Sequence, residues 1–137
     1  MTNSIEMDLI NEDESKDELD FKAKRFDYLH IPDEIKNLDL YLNEKSLCYQ
    51  YRDEENSLVA YYIINENEHG RWLSHLYINP EYYGYGFSKK LLLKCIYTHK
   101  VNCIKWSRYD EFARRFLLGL NFKVFHEYKN HMDLKRM

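Results

Sequence analysis

The sequence predicts a single α/β domain with a central mixed, mostly antiparallel sheet flanked by helices, and two patterns carry that expectation. One is the alternating stretch Arg71-Trp-Leu-Ser-His-Leu-Tyr-Ile78, which stops at Pro80, turns through Gly84 and Gly86 and runs into a helical pattern. The other is a meander of apolar runs ahead of it, joined by short charged turns. The length of 137 residues, with 45% hydrophobic and 16% aromatic content, suits one globular domain with one core.

In chain order, Ser4 to Ile10 reads as a first strand. Asn11 to Asp20 contains one apolar residue, too little to build a core, so residues 1–20 form an acidic N-terminal segment ahead of a domain spanning 21–137. Leu19 to Tyr28 and Pro32 to Leu42 read as short helices, the second opened by Pro32 with Asp33 and Glu34 near its positive end. Ser46 to Arg52 and Leu58 to Asn65 are strands joined by the turn Asp53 to Ser57, and Asn67 to Gly70 turns into the third strand. There Leu76 and Ile78 share one face, His75 and Tyr77 the other. Ser88 is placed to cap a helix with the stripe Leu91, Leu92, Cys95, Ile96 and His99, ending near Lys100. A strand Cys103 to Tyr109, a helix Glu111 to Leu118 and a hairpin of Phe122 to Tyr128 with His131 to Lys135 complete the chain.

Charge is unevenly divided. Residues 89–137 hold 12 Lys/Arg against 4 Asp/Glu, although the whole chain has a formal net charge of −3. A basic C-terminal part attracts a polyanionic ligand, while each single charge is accounted for by a solvated surface. No apolar run is long enough for a membrane span, and the acidic N-terminus lacks the pattern of a signal peptide. Three cysteines, Cys48, Cys95 and Cys103, lack framework spacing and suit packed, reduced thiols in the cytoplasm.

The strand-to-helix junction is where ligand chemistry concentrates. Glycines let a ligand approach the main chain, and the N–H groups of a helix start favour an anion such as pyrophosphate. These same residues resemble the central motif of the GCN5-related N-acetyltransferases, in which an aliphatic-x-Pro step precedes Arg/Gln-x-x-Gly-x-Gly/Ala and paired leucines. The matching residues are Ile78, Pro80, Tyr83, Gly86, Ser88, Leu91 and Leu92. A second match to Ala-x-x-Phe-Tyr-x-x-x-Gly-Phe is supplied by Ala113, Phe116, Leu117, Asn121 and Phe122. The resemblance covers about Ser46 to Lys135, with three departures: Tyr83 for Arg or Gln, Ser88 for Gly or Ala, and Leu117 for a frequent catalytic tyrosine.

What the resemblance implies is acetyl transfer from acetyl-CoA to a primary amine of a small molecule or peptide. It assigns the pantetheine arm to the main chain of Leu76, Tyr77 and Ile78, and the pyrophosphate to Tyr83, Gly84, Tyr85, Gly86, Phe87 and Ser88. It also implies that the strands Leu73 to Ile78 and Cys103 to Tyr109 splay into a cleft where donor and acceptor meet. His75 is the preferred base, since a histidine titrates near neutrality and its strand borders that cleft; His69, Glu68 and Asp110 are alternatives. Tyr109 is the candidate acid, with Tyr128 behind it. Asp110 also stands where many members carry an asparagine near the cofactor. Leu117 cannot give a proton, which favours the runner-up, an inert fold that binds a protein partner.

Other chemistries are poorly supported. Cys95-x-x-x-His99-x-x-x-Cys103 crosses from helix to strand without a fourth ligand, so no metal is expected. Tyr83 to Lys90 half matches an RNA-recognition octamer, but its companion hexamer lies only a few residues away instead of on a distant strand, so nucleic acid is disfavoured. No membrane partner is expected, and a homodimer is admissible.

Overall fold

The computed structural model describes residues 21–35 and 42–137. The strands are β1 Lys22–Phe26, β2 Leu47–Arg52, β3 Leu58–Asn67, β4 Gly70–Ile78, β5 Cys103–Ser107, β6 Phe122–Glu127 and β7 His131–Arg136. The described helices are α1, Phe87–Tyr97, and α2, Glu111–Leu118, with a 3-10 turn at Pro80–Tyr82. The seven strands of the described residues form one sheet in the order β1-β2-β3-β4-β5-β7-β6, antiparallel except where β4 meets β5. That parallel step is required by the crossover through α1, since parallel neighbours need a long connection.

β3 is an interior strand buried on both faces, which explains its unbroken apolar run from Leu58 to Ile64. Tyr62, Ile64, Leu73 and Ile78 pack on one side against Leu91, Leu92, Cys95 and Ile96 of α1, together with Ala113 and Leu117 of α2. Phe26, Ile35, Cys48, Tyr61 and Ile63 form a smaller cluster on the other side. All three cysteines are unbridged and buried, and burial pushes the Cys48 and Cys95 thiols up to about 11 and about 12. Among the described residues no helix is long and apolar enough to cross a membrane.

The structure corrects the sequence reading near the N-terminus. Lys22-Ala-Lys-Arg-Phe26, expected inside a helix, is the edge strand β1, paired antiparallel with β2 from Lys22↔Arg52 to Phe26↔Cys48. Its residues favour a helix in isolation, but the ladder to β2 overrides that preference, and exposed Lys22, Lys24 and Arg25 guard the outer edge. In the region expected as a second helix, Asp33–Ile35 is a turn closed by Ile35 N–H to Pro32 O (3.0 Å), and residues 36–41 lie outside the described residues. The expected strand at Ser4 to Ile10 lies outside them as well.

The last turn after α1 folds His99 against β3. Tyr62 Oη and His99 Nε2 are 2.8 Å apart, and the ring stacks on Tyr49. Burial, reinforced by Lys94 and Arg71, holds His99 below its ordinary 6.5. The unfolded chain therefore takes up this proton first as pH falls. The contribution to stability is complete above about 6.5 and is lost as pH falls through the lower, folded-state value. Urea midpoints measured from mildly alkaline to mildly acidic pH should show this fall, and His99→Gln, which cannot titrate, should flatten it. An unaltered slope in that variant would assign the pH dependence to other groups.

Candidate functional site

β4 and β5 pair at Trp72↔Cys103 and Leu73↔Ile104 and then separate. A bulge accompanies the separation. On β4 the register with β3 jumps from Leu73↔Ile64 to His75↔Ile63, so Ser74 is an extra residue, a bulge that bends the strand. β5 stays paired with β7 on its other edge along its whole length, from Cys103↔Lys135 to Ser107↔His131, so beyond Ile104 only its β4-facing edge is opened. The gap is a cleft of about 220 Å³ lined by Leu73, Ser74, His75, Leu76, Lys105, Trp106 and Ser107. The splay that the resemblance implies is thus present.

At the end of β4, Asn79 caps the 3-10 turn by accepting from Glu81 N–H (3.0 Å), and its side-chain amide donates to Leu58 O (2.9 Å). Gly84 and Gly86 then adopt φ of 87° and 74°, the left-handed region that a glycine enters without steric cost. Gly86 is the N-cap of α1, so it brings no side chain over the helix start; Ser88, expected as the cap, is instead buried in the first turn. That turn contains Lys89 and Lys90 and no acidic residue. Phe87 is anchored beneath it by Phe21 at 5.5 Å and Tyr51 at 5.6 Å. Backbone N–H groups, a positive dipole end and two lysines are thereby gathered beside a glycine turn, an arrangement that favours an anion.

Of the expected catalytic residues, His75 is half-buried and lines the cleft. Tyr109 does not reach it. That side chain is 65% exposed, lies within 5.5 Å of the Arg108 guanidinium and donates its hydroxyl proton to Lys129 O (2.8 Å). Asp110 is 1% exposed and serves as the N-cap of α2, accepting from Ala113 N–H and from Trp106 Nε1, each at 2.9 Å. Its carboxylate holds the helix and β5 together and is turned away from solvent, a strong cap that the following helical run would have signalled. Glu68 and His69 are exposed in the β3–β4 turn, outside the cleft lining. Tyr128 lies between the rings of His126 and His131, with centroids 4.2 Å away on each side.

Leu117 is fully buried in the core and is not a wall of the cleft. Asn121, at the glycine position of the second motif, has φ of 69°, so a residue tolerant of the left-handed region fills the place of glycine. Sequence reasoning missed Ser74, Lys105 and Trp106 as cleft residues, because the register shift on β4 and the early end of the β4–β5 ladder depend on pairing between distant segments.

A wider groove of about 1420 Å³ borders β1 and β2. Its lining mixes acids and bases, and Arg52 grips Glu34 through two nitrogens at 2.6 and 2.9 Å, which pulls that carboxyl down to about 2. Among the described residues it has neither a glycine turn nor a helix start, so the cleft and its adjoining turn are the better candidate.

No protein-family model matches the chain, and neither does any curated protein. Solved structures do. A protein from Klebsiella pneumoniae assigned as an acyl-CoA N-acyltransferase aligns with a TM-score of 0.58 at 11% identity, over 85% of this chain and 96% of that one. The ribosomal-protein-S18-alanine N-acetyltransferase from Escherichia coli aligns with a TM-score of 0.53 at 15% identity, over 69% and 70%.

Proposed function

From the fold of the GCN5-related N-acetyltransferases, which this chain has, we propose that it transfers an acetyl group from acetyl-CoA to a primary amine of a small molecule or peptide. The observation that carries the reading is the continuity of two features: the opened β4–β5 ladder and the left-handed glycine turn lie at successive points of one strand-turn-helix segment. A thioester with a long flexible arm and a pyrophosphate fits that sequence of sites. Pyrophosphate rests on Tyr83 to Ser88, the arm follows the main chain of Leu76 to Ile78, and the acyl carbon reaches the cleft.

The amine nitrogen attacks the acyl carbon, the carbon–sulfur bond breaks and the pair leaves on sulfur. The proton lost by nitrogen passes to His75, the titratable side chain of the cleft that can act near neutral pH. Positioning and the polarity of the cleft supply the rest. Buried thiols suit a reducing compartment, so we place the protein in the cytoplasm.

A second reading, an inert fold that binds a partner, is favoured by one observation: among the described residues no tyrosine lines the cleft, while Leu117 is in the core. Calorimetry with acetyl-CoA and with CoA separates the two, since an acetyltransferase binds both and the absence of any heat of binding ends the enzyme reading. Thiol release against polyamines, aminoglycosides and lysine peptides then identifies the acceptor. With that acceptor, the rate should rise with pH through one titration that His75→Gln abolishes or strongly slows. A parental rate and profile in His75→Gln would move the proton to water.

A further inference from the structure

The bulge residue of the cleft has a hydroxyl whose proton is left with one direction. Ser74 Oγ accepts from Asn65 Nδ2 at 3.0 Å, Asn65 Oδ1 accepts from Ser46 Oγ at 2.5 Å, and Ser46 Oγ accepts from the backbone N–H of Asn43 at 3.0 Å. Ser46 accepts from the backbone N–H and gives its single proton to the carbonyl oxygen of Asn65, and in this orientation the amide nitrogen faces Ser74. Ser74 receives through its oxygen and keeps an O–H to give, and among the described residues no group accepts it.

Ser74 lines the cleft, whereas Ser46 and Asn65 are buried behind it. Asn65 also interrupts β3 where the preceding residues from Leu58 to Ile64 are all buried and apolar. A buried amide at that point is costly unless bonded, and its bonds run to the cleft.

We propose that Ser74 donates a hydrogen bond to the carbonyl oxygen of the thioester held in the cleft, and that Asn65 and Ser46 are positioning residues that aim it. The proposal rests on the acetyl-transfer reading and assigns a further catalytic residue to it. As the amine nitrogen bonds to the acyl carbon, the carbonyl π pair moves onto oxygen, and the Ser74 bond strengthens without proton transfer. When the carbonyl reforms, the carbon–sulfur pair departs on sulfur, and Ser74 is unchanged. A donor fixed in advance toward a developing oxyanion is the arrangement that lowers such a barrier.

The test uses the full chain and acetyl-CoA labelled with carbon-13 at the carbonyl, observed by isotope-edited infrared spectroscopy, so no acceptor need be known. The bound carbonyl stretch should lie at lower frequency in the parent than in Ser74→Ala, and Ser74→Thr, which keeps a hydroxyl, should retain the parental band. Asn65→Asp at alkaline pH offers an acceptor-only carboxylate that turns the Ser74 proton away from the cleft. Its band should move to the Ser74→Ala position although Ser74 is still present. Calorimetric affinity for CoA should be alike in all four proteins, and with an amine that supports thiol release Ser74→Ala should lower kcat about 100-fold. An identical band in the parent and Ser74→Ala, with acetyl-CoA bound to both, overturns the proposal and leaves acetyl transfer standing. Failure of acetyl-CoA and CoA to bind the parent overturns both. If Asn65→Asp does not fold, Ser74→Ala and Ser74→Thr decide between them.

Discussion

If acetyl-CoA binds as proposed, Gly86→Val should abolish its binding and Gly86→Asn should weaken it about 100-fold or more, equivalent to about 2.8 kcal/mol. The two substitutions separate a ligand effect from a backbone effect. Gly86 has φ of 74° as N-cap of α1, and a β-branched residue there is strained by about 1–2 kcal/mol or more. Asparagine tolerates the same region, as Asn56 and Asn121 of this chain do at φ of 65° and 69°. Thermal melts should therefore show a loss for valine and little change for asparagine, while calorimetry should show impaired binding for both, since each puts atoms where the proposed pyrophosphate would approach the main chain. Parental affinity in Gly86→Asn would remove the pyrophosphate from this turn.

Leu117→Tyr destabilises the protein by about 1–3 kcal/mol through overpacking, with a further cost if the phenol is left unbonded. A cleft-wall position would behave differently, and the sequence pattern suggests one, because a frequent catalytic tyrosine has this spacing in the resembling family. Leu117 is instead 0% exposed, in one core with Ala113, Phe122, Met132 and Leu134. Introducing the tyrosine should lower the urea midpoint and leave turnover no higher than before. A variant as stable as the parent and faster in thiol release would show that α2 can turn this side chain into the cleft.

Where the determinants are local, the sequence already reveals the fold. The period of β4, the glycines after it and the apolar stripe of α1 lie within thirty residues of one another, and each is a short-range pattern. β1 could not be read in that way, because Lys22 becomes a strand residue only by pairing with Arg52. The direction of Leu117 has the same origin: helix spacing identifies a stripe, but which neighbour it faces depends on the sheet beneath. Asp110 is a different case, a cap signal present in the sequence and read as chemistry. Ser74 and Asn65 meet across nine residues, and Asn65 meets Ser46 across nineteen. Nothing in any one of those segments announces the chain of bonds.

A sheet normally resists spreading through the rungs between its strands. Here the rungs between β4 and β5 end after Leu73↔Ile104, so the sheet is two panels hinged at one short seam. Stiffness across the opening then comes from the apolar layer beneath it, where Leu73, Ile104 and Trp106 share a core with Leu92 and Ile96 of α1. The gauge of the slot is a property of that layer, so Ile104, Leu92 and Ile96, which are not among the cleft-lining residues, help to set how firmly a ligand is held.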